Sequence, residues 1–103
     1  MQIVLQQGLE GYEGEADTYL DAWNWMTPLG QADTLRVRRN GVRAILIRFE
    51  LPELPQGVTK ATLDLWVVSS NRAAPLTVRA YVLKRPWSED NATWLEADAG
   101  APW

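Results

Sequence analysis

Ala44-Ile45-Leu46-Ile47-Arg48-Phe49-Glu50-Leu51 is the stretch that decides the fold class. Ile45, Ile47, Phe49 and Leu51 fall on one side of an extended chain, and Leu46, Arg48 and Glu50 on the other. A period of two predicts a β-strand with one buried face, here the face of the isoleucines. Pro52 ends the run because it has no N–H to give a ladder. Just upstream, Asn40-Gly41 between Arg38 and Arg43 is a hairpin signal, since the favoured two-residue turn needs positive φ at both central residues. Thr34 to Arg38 then reads as a short strand leading into that turn.

The same period continues in both directions. Lys60 to Val68 puts Ala61, Leu63, Leu65 and Val67 on one side, against Thr62, Asp64 and Trp66. Leu76 to Lys84 puts Leu76, Val78, Ala80 and Val82 opposite Thr77, Arg79, Tyr81 and Leu83. Ala16 to Leu20 and Gln2 to Gln6 are expected strands with weaker patterns. Gly8, Gly11 and Gly14 punctuate one connection, Pro52, Pro55 and Gly57 another, and Ser69-Ser70-Asn71 opens a third. No segment has helical periodicity. After Pro86 the alternation stops, and Trp87 to Trp103 reads as loop. Short strands separated by turns in one 103-residue domain predict an all-β, antiparallel sandwich or barrel.

Composition removes several chemistries. The chain has neither His nor Cys, so it holds no Ser-His-Asp or Cys-His nucleophile, no ordinary zinc site and no disulfide. No apolar run approaches the roughly 18 residues of a membrane span. The net charge of −3 argues against general nucleic-acid binding. Glu89 and Asp90, adjacent on the chain, would face opposite sides of a strand and make a poor glycosidase pair. The net charge hides a segregation. Residues 1–35 and 86–103 carry acids and no Lys or Arg, while all ten basic residues lie within 36–85. A basic face for an acidic ligand is one expectation, and acidic loops pairing with a basic sheet is the other.

Several segments, taken in order, resemble the DNRLRE family, which is similar to the alginate-binding carbohydrate-binding modules of family 96. They are Gln7-Gly8-Leu9-Glu10-Gly11-Tyr12-Glu13-Gly14, Asp17-Thr18-Tyr19-Leu20, Leu46 to Leu51 with Leu54-Pro55, Ala61 to Leu65, Arg85-Pro86-Trp87-Ser88-Glu89, Ala92-Thr93-Trp94 and Gly100-Ala101-Pro102-Trp103. The resemblance implies an extracellular or cell-surface β-sandwich of jelly-roll type, non-catalytic, with a role in polysaccharide attachment or matrix structure. It also implies that the module continues past Trp103, so that this chain corresponds to roughly its first two thirds. A sandwich without its last strands exposes unpaired edges, which a second polypeptide or a neighbouring copy is expected to fill by strand addition. By the same resemblance Trp87, Trp94 and Trp103 plug the ends of the sandwich. Tyr12, Asp17 and Tyr19 fix the first loop.

Two sets of residues are candidates for binding. Trp23 and Trp25 lie in a loop, Asp21 to Gly30, that the family pattern does not require. Exposed indoles stack on sugar rings and also anchor protein contacts. Arg36, Arg38, Arg48, Trp66, Arg79 and Tyr81 fall on the polar phase of their strands. Neighbouring strands would gather them into a basic, aromatic face, and paired guanidinium hydrogen bonds suit the carboxylates of uronic acids. The alternative for that face is solvation, with cross-strand pairing to Asp64 and Glu50. Asp17 with Asp21 or Glu15 is a weaker candidate for a structural Ca²⁺ held by carboxylate oxygens. Two functions follow as expectations: binding of an acidic polysaccharide, or assembly through a completed sandwich.

Overall fold

The computed structural model of the chain describes residues 2–52, 57–70 and 75–103. The turn signals at Pro55 and Asn71 and the Leu54-Pro55 segment lie outside the described residues. Two antiparallel strands form the frame. β1, Glu15–Asp21, pairs with β2, Arg43–Phe49, in a register that sets Glu15 opposite Phe49, Thr18 opposite Leu46 and Asp21 opposite Arg43. β2 carries Ile45, Ile47 and Phe49, which fit a pleated surface, and β1 carries Thr18 and Tyr19 between acidic residues. The Asn40-Gly41 turn forms as expected. Asn40 has φ 67° and Gly41 φ 69°, left-handed values that Gly adopts freely and Asn better than most. The strand expected over Thr34 to Arg38 contracts to a single antiparallel bridge between Arg38 and Arg43. Gln2 to Gln6 forms no strand.

Burial along β2 does not follow the expected phase, and its one buried residue lies on the opposite side. Leu46 is buried, while Ile45, Ile47 and Phe49 are only half-buried. Which face is inner depends on what lands on it. Here the C-terminal segment brings Trp87, Ala92 and Ala97 onto Ala16 and Leu46, with Leu20 at the margin. That segment is more ordered than its sequence predicts. β3, Glu96–Asp98, and β4, Ala101–Pro102, make a small antiparallel hairpin. Pairs this short leave no alternation to read. Trp87 is a core residue as expected. Trp103 is partly exposed but donates from Nε1 to the Thr93 carbonyl at 2.7 Å.

The C-terminal segment is also tied to β1 and to the loop that follows it. The Asp17 N–H donates to the Glu89 carboxylate at 2.9 Å, and Gln31 donates to Asp90 at 2.8 Å. Gly30 makes this closure possible, because a Cβ there would collide with the Glu89 carbonyl. In the first loop, Tyr12 donates to the Glu50 carbonyl at 2.6 Å, which fixes that loop as expected.

The two longest alternating runs do not pair. All of 57–70 and 75–84 is exposed, and neither joins a strand among the described residues. The segments Lys60 to Val68 and Leu76 to Lys84, expected as strands, therefore lie outside any strand with their apolar residues open. Leu65, Val67, Val78 and Val82 are 62%, 77%, 63% and 89% exposed. The whole chain has 8770 Å² of accessible surface. A compact chain of this mass would show about 5800 Å². The fold is all-β and antiparallel, and its core lies under β1 and β2. Among the described residues no helix is long and apolar enough to cross a membrane.

Candidate functional site

Register places three charged residues side by side at one end of the frame. Arg38 bridges Arg43 across the turn, and Arg43 faces Asp21 across β1–β2. Two guanidinium groups on neighbouring strands would repel. Two neighbours offset this. Arg43 donates from Nε to Asp21 at 3.0 Å, the only ion pair among the described residues. Trp23 supplies the second: the Arg38 guanidinium carbon lies 4.4 Å from its ring centroid and that of Arg43 5.3 Å. Such contacts are favourable because the ring face is electron-rich.

Trp23 reaches this position because β1 ends abruptly. The Asp21 carboxylate accepts the Trp23 N–H at 2.9 Å and turns the chain into a single 3₁₀ turn, Ala22–Asn24. Asn24 donates to the other carboxylate oxygen at 3.2 Å. Burial alone would raise the Asp21 carboxyl. The hydrogen bonds from Trp23, Arg43 and Asn24 and the Arg43 charge outweigh it and hold Asp21 below the usual carboxylate range. The result is a surface platform with an indole 58% exposed, two cations against it and Trp25, 48% exposed, two residues further on. It can stack on a flat apolar ring and hold an anion beside it.

A family model matches residues 10–101, described as carbohydrate-binding module family 96. The chain belongs to this family. Its members are non-catalytic binding modules, and the all-β frame of this one is in keeping with that role. No curated protein and no solved structure matches the chain.

In this module the predicted binding residues divide into four groups. Trp23 and Arg38 come together, with Trp25 two residues beyond Trp23. Arg36 is exposed on the same stretch as Arg38, and makes no hydrogen bond, ion pair or ring contact among the described residues. Arg48 is committed elsewhere. Its guanidinium lies 5.1 Å from the Trp87 ring centroid and donates to the Trp87 carbonyl at 3.2 Å, so it locks the C-terminal segment onto β2. Trp66, Arg79 and Tyr81 stand exposed on the unpaired stretches, and no sheet gathers them into one face.

Arg43 belongs to the platform and was not among the predicted residues. Its signal was present: it follows the Asn40-Gly41 turn, opposite Arg38, so the hairpin places both on one face.

Asp17 and Asp21 do not share a cation site. They sit four residues apart on one strand, about 13 Å, and Asp21 is already filled by its three donors. Asp17 instead joins Glu15 and Glu89, and one carboxylate oxygen from each of the three lies within 4.8 Å of the other two. These three would hold a structural Ca²⁺ if the module takes one. Burial, a hydrogen bond with the Asp17 side chain, and the negative charges of Asp17 and Glu89 together raise Glu15 to about 7.

Proposed function

We propose that this module binds an acidic polysaccharide outside the cell. Trp23 and Trp25 stack on sugar rings, and Arg38 with Arg43 holds a uronate carboxylate. The observation that carries this reading is the exposed Trp23 indole with both guanidinium groups against it. A neutral glycan would use the rings and leave the cations idle. An acidic one uses both, and its binding weakens as salt screens the charges. Affinity electrophoresis through alginate, pectin and a neutral glucan tests this. Retardation is expected in the two acidic gels, reduced by added NaCl, and Trp23→Ala weakens it roughly tenfold. No retardation in either acidic gel, or equal retardation in the neutral one, overturns the reading.

A second reading concerns assembly, and the exposed apolar rows of 57–70 and 75–84 favour it. In this reading a second polypeptide or a neighbouring copy adds strands to those rows and completes a jelly-roll sandwich. Native mass spectrometry decides between them. A multimer or a bound fragment supports assembly, and a monomer that binds polysaccharide excludes it.

A further inference from the structure

A buried carboxylate beneath an anion-binding surface works against the ligand, because like charges repel. Asp21 is 2% exposed and lies directly behind the platform. Its geometry shows what it supplies in return. One bond fixes the backbone of Trp23, a second holds Asn24, between Trp23 and Trp25 in the chain, and a third grips Arg43 through Nε. Among the described residues that last bond is the only hydrogen bond of the Arg43 side chain, so its two terminal nitrogens stay open to a ligand. Arg38 has no hydrogen bond or ion pair there, only the ring contact.

We propose that Asp21 is the positioning residue of this site, and that it sets the site's charge. It cancels Arg43 while orienting it, and leaves Arg38 as the uncompensated cation against the Trp23 ring. The platform then takes one carboxylate against one sugar ring, with Arg43 supplying directed donors and Arg38 the net charge. This rests on the reading that Trp23 and Arg38 face an acidic glycan.

The two roles of Asp21 predict opposite outcomes for Asp21→Asn. If Asp21 acted only through its charge, removing it would add one net positive charge and tighten binding to an anion. If it positions the platform, the variant loses the grip on Arg43, and binding weakens roughly fivefold despite the added charge. Affinity electrophoresis in alginate and pectin at low and high NaCl reads the difference. Asp21→Asn is expected to bind more weakly than wild type at low salt.

A second variant guards against loss of folding. Asp21→Asn with Arg43→Gln keeps an acceptor and a donor facing each other and leaves the local net charge unchanged. It is expected to fold, to bind more weakly than wild type, and to keep the wild-type salt dependence, because Arg38 still carries it. Binding by Asp21→Asn as tight as wild type or tighter overturns the proposal. So does a shallower salt dependence in the double variant. If Trp23→Ala abolishes binding while both Asp21 variants bind normally, the platform stands and only the role of Asp21 fails. If wild type binds neither acidic polymer, both fall.

Discussion

The β1–β2 frame and the stretches 57–70 and 75–84 have similar sequences and different structures. Both carry alternating apolar residues, and Ala61 to Val67 alternates more cleanly than Ala16 to Leu20. Only the frame is paired and covered. Its ladder runs from Asp21 opposite Arg43 to Glu15 opposite Phe49, and the turn at Asn40 and Gly41 leads the chain into β2 through the Arg38–Arg43 bridge. It is then covered by a segment that brings its own Trp and two small residues. Alternation shows which face a strand would bury. It does not supply the backbone that completes the ladder or the side chains that cover the face.

Paired substitutions break this comparison most directly. Leu46→Ala removes a buried side chain beneath Trp87 and is expected to cost about 2–3 kcal/mol. Leu65→Ala removes one that is 62% exposed and is expected to change stability by less than about 0.5 kcal/mol. Urea denaturation of the isolated chain measures both. Equal losses would mean that the 57–70 stretch is packed in solution, which is the outcome the assembly reading requires.

The closure of the frame gives a somewhat smaller effect. Gly30→Ala drives a methyl into the Glu89 carbonyl and must displace either the loop or the C-terminal segment. A loss of about 1–3 kcal/mol is expected. Faster hydrogen exchange at the Asp17 amide, whose acceptor is Glu89, would locate the damage. Gly57→Ala has no neighbour to strike, and its left-handed φ of 87° confines the cost to local backbone strain. It should leave the Asp17 amide unchanged.

What the sequence made legible follows the same division. The turn at Asn40-Gly41 and the strands over Ala16 to Leu20 and Ala44 to Phe49 could be read because their signals are local. The buried face of β2 could not, because Leu46 is inner only through Trp87, Ala92 and Ala97, some forty residues or more away. The site shows the same limit. Trp23 and Arg38 could be named as residue types suited to a sugar acid. The bond from Arg43 to Asp21 depends on a strand register that periodicity does not supply. Arg48 illustrates the converse: a polar phase marks a residue as outward, yet its guanidinium serves the core by covering Trp87.

The subtlest difference between the regions is in their charges. Acids and bases on the unpaired stretches stand in solvent, whereas Glu15, Asp17 and Glu89 are held together where β1 meets the C-terminal segment. Glu15 is raised from 4.5 to about 7, so between those values the folded chain binds a proton that the unfolded chain releases. Stability from this group is therefore complete below about 4.5 and is lost as pH rises towards 7. Glu15→Gln mimics the protonated form at every pH. In buffer containing EDTA it is expected to match wild type at pH 4 and to exceed it by about 1 kcal/mol at pH 8, after allowance for solvent screening. Urea midpoints at the two pH values measure this. Wild type more stable than the variant at pH 8 would show that the charge has a use. If that reversal needs added Ca²⁺, the three carboxylates form a cation site. If it persists in EDTA, the partner is a cationic group elsewhere on the chain.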